Sequence, residues 1–375
     1  MNNIKVVELF AGVGGFREGI STSCEKNKVQ EEVVFVSEWD KFAQTSYEAI
    51  YGEEPSGDIT QLNEKEIPEH DILVGGFPCQ PFSTSGLQKG FEDARGTLFL
   101  DIARIAHHKK PKVLFLENVK GLVGHDKGKT LDVIVKTLNN IGYLVDYQVL
   151  NSKGYGVPHN RQRIFIIAVR NDLLKEEKWL VDKKNNVVNN GKKRQSSWAK
   201  QFNFNFPEPH DDSKRIKDIL EEKIVDDKYF VAEEKKNRLL NSIKGNHGIG
   251  IDGRLTTMCV ADKNISPNLD ANYSFGIAVS KVSKNQHIRA HIICDNNGVP
   301  VENYNPEMNG EYKLRRLTPL ETWRLQGFKD ENFFKAQNSG VSDSQLYKQA
   351  GNAVSAPVIE RIFDEIITLL KTIQK

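Results

Sequence analysis

Six short apolar runs, separated by polar stretches, constrain the fold of this chain more than any other feature. They fall at Lys5 to Phe10, Val33 to Ser37, Asp71 to Gly75, Lys112 to Leu116, Leu144 to Leu150 and Ile164 to Val169. Each is too short for a buried helix and rich in Val and Ile, which suits strands covered on both faces of a parallel sheet. Between them, Gly15 to Cys24, Lys41 to Ile50, Thr97 to His107 and Thr130 to Ile141 carry apolar residues at helical spacing. Repeated βα units follow, so the fold class predicted is α/β with a doubly wound, mostly parallel, Rossmann-like sheet.

Beyond Val169 this pattern degrades. Asp182 to Gln201 is rich in Lys, Asn, Gly and Ser and reads as a loop or mobile insertion. Residues 202 to 313 mix short apolar runs, such as Ser274 to Val279 and Ala290 to Cys294, with many turn residues, as in a smaller, irregular, partly β domain. Apolar residues return to helical spacing from Ser355 to Ile373, and this last helix is expected to pack back on the first domain. The middle is then an insertion. The expected divisions are 1–170, 171–313 and 314–375, two domains being usual for 375 residues.

Composition excludes several classes. With 38% apolar residues, 28 Gly and 27% charged residues, wholesale disorder, collagen and coiled coil are ruled out. No run approaches the roughly 18 uncharged apolar residues that cross a bilayer, and Met1 to Gly15 has no basic region before a cleavable apolar core, so a soluble cytoplasmic protein is expected. Cys24, Cys79, Cys259 and Cys294 lie far apart with no C-x-x-C pair; neither a disulfide framework nor a metal site is encoded, and any special cysteine acts alone. The net charge of +2 is too small to announce a nucleic-acid partner, but it is uneven. Residues 151 to 313 carry 27 Lys and Arg against 21 Asp and Glu, the remainder 25 against 29. The middle is the basic part.

Ligands of open α/β sheets bind beyond the carboxyl ends of the strands, and four unusual segments fall there. The first strand runs into Phe10-Ala11-Gly12-Val13-Gly14-Gly15, where missing side chains let backbone approach a ligand at a helix start. This spacing departs from the G-x-G-x-x-G of dinucleotide sites, and packing alone also produces such turns. The second strand ends at Glu38-Trp39, an acid roughly 20 residues beyond the glycines, as needed for ribose hydroxyls, beside an aromatic able to cover an adenine. The alternative is an exposed acid beside a core tryptophan.

The third strand ends in Gly75-Gly76-Phe77-Pro78-Cys79-Gln80-Pro81-Phe82-Ser83. Prolines on both sides of Cys79 forbid regular structure and fix the chain, which suits a presented thiol, although most lone cysteines are inert core residues. The next strand ends at Leu116-Glu117-Asn118-Val119. A carboxylate following an apolar run is poorly solvated, which favours its protonated, proton-donating form; a helix cap or a satisfied structural acid is the alternative. Arg161 and Arg163 alternate along an entering strand and would share one face, ready for an anion or a base carbonyl, though paired surface arginines are common.

Taken together, these residues resemble the DNA (cytosine-5)-methyltransferases of bacterial restriction-modification systems. The resemblance covers most of the chain, with the motifs in the family's order. VELFAGVGGFREG resembles the S-adenosylmethionine loop, SEWD the ribose and adenine contact, and GDIT the segment holding the adenine ring. GGFPCQPFS resembles the nucleophile loop, RGTLFLDIARI its following helix, LFLENVKGL the acidic motif and VPHNRQRIFIIAV the arginine motif. RRLTPLETWRLQGF and QAGNAVSAP resemble the two closing motifs.

The resemblance implies a cofactor site for S-adenosylmethionine, with S-adenosylhomocysteine as product and no metal. It would be lined by Phe10, Ala11, Gly12, Gly14, Gly15, Glu38, Trp39, Asp58, Ile59, Pro78, Leu98, Asn352 and Val354. Cys79, Glu117, Arg161 and Arg163 would line the cytosine site, and Gln80, Ser83, Ser85 and Arg95 would contact DNA. Residues 1–170 become the catalytic and cofactor-binding domain, 171–313 the target recognition domain, and 314–375 the closing motifs. Where the family often carries a Thr-Leu pair for base reading, the best local match is Asn268-Leu269, with Thr257-Met258 weaker; the family's usual Gln is replaced by His159.

By the same resemblance, Cys79 adds to carbon 6 of a cytosine flipped out of double-stranded DNA, Glu117 holds ring nitrogen 3 and the exocyclic amine, and Arg163, or less readily Arg161, contacts the carbonyl oxygen. The loop Ser83 to Arg95 would close over the DNA, and Lys and Arg of the middle domain would meet phosphates. A monomer acting without a membrane is implied, paired in function with a restriction endonuclease but forming no stable complex with it. Two alternatives stay open: a tRNA cytosine methyltransferase sharing the catalytic domain, and a catalytically silent DNA-binding regulator on the same fold. Pro78-Cys79-Gln80 with a long middle segment favours DNA, and the retention of Cys79, Glu117 and the glycine loop together speaks against the regulator.

Overall fold

The computed structural model describes residues 3–78, 98–210, 214–233, 258–259, 291–300 and 313–373. A six-stranded sheet in the order β2-β1-β3-β4-β6-β5 organises the first half. Its strands are β1 (Asn3–Leu9), β2 (Gln30–Ser37), β3 (Ile72–Gly76), β4 (Val113–Val119), β5 (Tyr143–Asn151) and β6 (Gln162–Arg170), each overlapping an apolar run of the sequence. Strands β2, β1, β3 and β4 pair in parallel, whereas β6 runs antiparallel to β4. The sheet is thus mostly parallel.

Helices α1 (Gly15–Asn27), α2 (Lys41–Tyr51), α3 (Leu98–Lys109) and α4 (Lys129–Asn140) occupy the intervals predicted from apolar spacing. Strand residues Val7, Leu73 and Leu114 and helix residues Phe99, Ile102, Ile134 and Leu138 close into one buried core. At a few tens of cal/mol per Å² of apolar surface removed from water, this burial is the main force holding the layers together.

One segment departs from its expected form. Within Asp182 to Gln201, Val187–Gln195 forms a helix, α5, rather than a loop. Its composition is poor for a helix interior, but Asn186 caps it by accepting from the Asn189 amide, and two tertiary contacts hold it. Lys192 pairs with Asp146 of β5 at 2.6 Å, its ammonium lying over the Tyr147 and Trp179 rings, and Gln195 exchanges hydrogen bonds with Tyr147 and Asp132. A lysine so buried needs both the carboxylate and the ring faces.

The chain divides into two compact units: 1–150, 162–208 and 358–375 in the first, and 151–161 with 209–357 in the second. Residues 171–208 therefore group with the sheet, and the segment from 314 to 357 with the second unit. In the second unit, β8 (His291–Cys294) pairs with β7 (Met258–Cys259) in parallel and with β9 (Lys313–Arg316) in antiparallel fashion. Helices α6 (Pro319–Arg324), α7 (Asp330–Asn338) and α8 (Asp343–Asn352) follow. Trp323 is fully buried there and donates its indole N–H to the Leu346 carbonyl, and Arg315 pairs with Glu321 at 2.7 Å in an equally buried position.

The last helix, α9 (Ala356–Ile373), puts Ile359, Ile362, Phe363, Ile366 and Leu370 into the interior. Its Asp364 accepts from Ser23, Lys26 and Asn27 of α1, so the chain's end returns to the first unit as expected. Among the described residues no helix is long and apolar enough to cross a membrane.

Candidate active site

The carboxyl ends of β1 and β2 build one half of the site. Past β1 the backbone turns left-handed at Phe10 (φ 56°), Gly12 (φ 58°) and Gly14 (φ 84°) before α1 begins. A phenylalanine in that region is strained, and such strain persists where the surroundings over-determine it. At Gly14 a side chain is excluded twice over, because a Cβ would also clash with the Tyr51 ring. At Gly12 the space beside the backbone is open.

Glu38 ties this loop to the second strand. It is 7% exposed, and its two carboxylate oxygens accept from the Gly12 and Asp40 amides, each at 2.8 Å. Burial pushes its carboxyl up, and the amides of Asp40 and Gly12 partly offset this. Trp39 beside it is 71% exposed. The alternative of an exposed acid beside a core tryptophan is thus reversed on both counts. Sequence reasoning assigned no role to Asp40, whose carboxylate caps α2 by accepting from Phe42 and Ala43; an Asp just ahead of a helical run was the available signal.

The GDIT segment joins the same place. Ser37 donates to the Gly57 carbonyl at 2.9 Å and the Ser56 amide to the Val36 carbonyl at 2.8 Å, which sets Asp58 and Ile59 beside the end of β2. Asp58 is exposed and caps a 3-10 turn, Ile59–Gln61, while Ile59 is buried and passes its carbonyl to Arg104. Leu98 opens α3 and, like Phe10, packs partly buried on the main core.

The ends of β3, β4 and β6 build the other half. Register places Gly76 beside Glu117 and Val119 beside Arg163. Glu117 is 7% exposed and meets the Arg163 Nε at 3.0 Å. Desolvation lowers the Arg163 pKa and the Glu117 carboxylate opposes that. The poorly solvated acid expected from sequence is therefore paired, not isolated.

Asn118, which sequence reasoning quoted without a role, donates its buried amide to the Phe77 carbonyl at 2.7 Å. That bond fixes the chain two residues ahead of Cys79. Pro78 is exposed at the mouth of this turn. Cys79, Gln80, Ser83, Ser85, Arg95, Asn268, Leu269 and Thr257 lie outside the described residues.

The expected arginine pair separates, and Arg161 is corrected. It precedes β6 instead of alternating within it, and its buried Nη2 donates to the Gly351 and Ala353 carbonyls at 3.1 and 2.8 Å. Those contacts lie within the second unit and shape the closing segment. There Ser355 bonds both Ser152 and Gln326 at 2.8 Å, and the Ala356 amide donates to Gln326 O. Asn352 ends α8 exposed and Val354 is buried in the turn after it. Of the two arginines, it is Arg163 that meets Glu117. Cys24 and Cys294 are buried thiols, pushed up to about 12 and about 11 by desolvation, which disfavours their thiolates.

Comparison with known proteins identifies the family. Residues 4–368 match the family described as C-5 cytosine-specific DNA methylase. Type II methyltransferase M.HhaI of Haemophilus parahaemolyticus is 38% identical over 96% of this chain and 94% of its own length. Type II methyltransferase M.SsoII of Shigella sonnei is 38% identical over 98% and 80%. Orphan methyltransferase M.SPRI of Bacillus phage SPR is 35% identical over 98% of both chains. Among solved structures, S. pombe Dnmt2 methyltransferase has a TM-score of 0.68 at 19% identity over the full length of both chains, and Entamoeba histolytica methyltransferase EhMeth 0.64 at 19% over 99% of both; these share the fold.

Proposed function

We propose, from the premise that this chain belongs to the C-5 cytosine-specific DNA methylase family and is a DNA (cytosine-5) methyltransferase, that the two halves described above divide cofactor binding from base chemistry. The single observation that carries the reading is the Glu117–Arg163 pair, 3.0 Å apart and buried, with Asn118 holding the chain just ahead of Cys79.

The first half fits S-adenosylmethionine. An uncovered indole at Trp39, a buried carboxylate at Glu38 and open space beside Gly12 suit an adenine face, ribose hydroxyls and a close backbone approach. The family resemblance adds Phe10, Ala11, Gly14, Gly15, Asp58, Ile59, Pro78, Leu98, Asn352 and Val354 to the cofactor residues. When bound, the sulfonium supplies the methyl group.

Carbon 5 of cytosine is a poor nucleophile until a thiolate adds to carbon 6 and turns the ring into an enamine. Cys79 makes that bond. Negative charge then builds towards nitrogen 3 and the carbonyl oxygen. Glu117 supplies a proton at nitrogen 3, and Arg163 faces the oxygen, a charge-assisted contact strengthened by the dry surroundings of both side chains. Once carbon 5 carries the methyl group, a base removes its proton, the nitrogen-3 proton returns to Glu117, and Cys79 leaves as thiolate to give 5-methylcytosine. The base must leave the duplex for these atoms to be reached, at a cost of a few kcal/mol, and the loop Ser83 to Arg95 closes behind it, with Gln80, Ser83, Ser85 and Arg95 on the DNA.

Residues of the middle segment, Asn268-Leu269 among them, read the target. The chain acts as a cytoplasmic monomer on double-stranded DNA, with a restriction endonuclease as functional counterpart and no stable complex between them.

Conversion-based methylation sequencing of DNA from cells expressing the wild type and Cys79→Ala tests the reading. Methylcytosine at one short context in the wild type alone is expected. Equal methylation in both would remove Cys79 from the mechanism, and none in either, from folded protein that binds S-adenosylmethionine, would return the choice to an RNA substrate or a silent regulator.

A further inference from the structure

Behind the glycine loop lies a group that the mechanism does not use. Glu8, in β1 two residues before Phe10, is 1% exposed; Tyr47 of α2 donates to its Oε2 at 3.0 Å, while its Oε1 is buried with no side-chain hydrogen-bond partner among the described residues. Arg17 of α1 favours the ionised form of Glu8 through its charge and its backbone N–H, but its guanidinium is committed to another carboxylate. Its two Nη atoms form a fork on Glu53, at 3.1 and 3.2 Å, where the carboxylate is 40% exposed.

Arg17 also lies over the Tyr51 ring at 5.4 Å, Tyr51 packs on Tyr47 at 4.6 Å, and the Tyr51 hydroxyl donates to the Gly14 carbonyl at 3.1 Å. One contact chain therefore runs from Glu8 to the backbone of the loop. The charged and titratable groups facing it are Arg17 and the buried Glu18 on α1, Tyr47 and Tyr51 on α2, and Glu53.

We propose that Glu8 is a positioning residue for the cofactor loop: protonated, it leaves Arg17 on Glu53 and Tyr51 on Gly14, and ionised, it draws Arg17 inward and loosens the loop. This rests on the reading of Phe10 to Gly15 as the S-adenosylmethionine loop. Two carboxylates compete for one guanidinium, and the proton on the buried one, exchanged with solvent, decides the winner. Burial pushes the Glu8 carboxyl up to about 7, so the competition turns over in the neutral range. No histidine occurs before His70, so none in β1, α1 or α2 mimics the effect.

Calorimetric binding of S-adenosylhomocysteine to the full chain between pH 5.5 and 8.5 tests this. The wild-type dissociation constant is expected to rise about five- to tenfold across that range, a coupling of the size typical between linked sites. Glu8→Gln should bind with the low-pH affinity throughout. Glu53→Gln, which removes the competitor, should bind weakly throughout, and it keeps the proposal falsifiable if Glu8→Gln does not fold. A pH profile in either variant that matches the wild type overturns the proposal while leaving the cofactor site intact; no binding by the wild type at any pH overturns the cofactor site and this proposal with it.

Discussion

Two buried acids, Glu8 near the end of β1 and Glu117 near the end of β4, show how the same side chain behaves in opposite ways on two strands of one sheet. Each is close to fully buried and each has an arginine within electrostatic reach. Glu117 holds its arginine directly, at 3.0 Å, whereas Arg17, whose charge acts on Glu8, is forked onto Glu53. Desolvation is the same in kind at both places; the partner's commitment differs. The paired acid lies at the proposed base site, and the other lies behind the loop proposed to hold the cofactor.

The largest effect should come from breaking the paired end. Glu117→Gln keeps shape and hydrogen bonding but removes the proton donor, and single-turnover methylation should fall by roughly 10²- to 10⁴-fold, the usual range for a positioned acid. A loss under threefold would move the proton donor elsewhere. Substituting the unmatched acid should act on stability instead. A carboxyl with a raised native pKa binds more protons folded than unfolded, so the stability that Glu8 contributes is complete below about 4.5 and is lost as pH climbs through about 7. Urea unfolding should then show Glu8→Gln more stable than wild type at pH 8, by up to about 3 kcal/mol, and nearly equal at pH 4.5. The same difference at both pH values would mean that Glu8 does not titrate in this range.

Two smaller changes sharpen the contrast. Asn118→Ala leaves the Phe77 carbonyl without its donor, and kcat should drop about tenfold, the size of one buried hydrogen bond, while the affinity for S-adenosylhomocysteine stays as it was. An equal fall in affinity would make Asn118 a general packing residue. Tyr47→Phe should cost about 1 kcal/mol at pH 8, where the hydroxyl donates to an ionised carboxylate, and less at pH 5. Equal costs would separate Tyr47 from the titration of Glu8.

Much of the first unit was legible because the signals are local. Runs such as VLFL and FIIAV have too little room for anything but strands, and the glycine loop, the acid after β2 and the chain before Cys79 each lie at the end of such a run. The helix α5 was not legible. Its sequence VVNNGKKRQ has poor intrinsic propensity, and it becomes a helix by burying Lys192 on Asp146 between two aromatic rings that lie elsewhere in the chain. Arg161 was misplaced for a related reason: spacing suggested a shared face with Arg163, but the strand starts one residue later and the carbonyls of Gly351 and Ala353 capture the guanidinium.

What the sequence determined by itself is the order of the strands and helices in the first unit and the residue types presented at each strand end, because periodicity, glycine and proline act over a few residues. Which charges meet was decided only in three dimensions. Glu8 reads as a blemish in the apolar run VVELF, and nothing within ten residues shows that its arginine is claimed by Glu53 or that Tyr51 holds the loop it precedes. Buried electrostatics depend on distances of a few ångströms between residues that lie tens or hundreds of positions apart in the chain. The pairing of Glu117 with Arg163 and the solitude of the Glu8 Oε1 both arise from that packing.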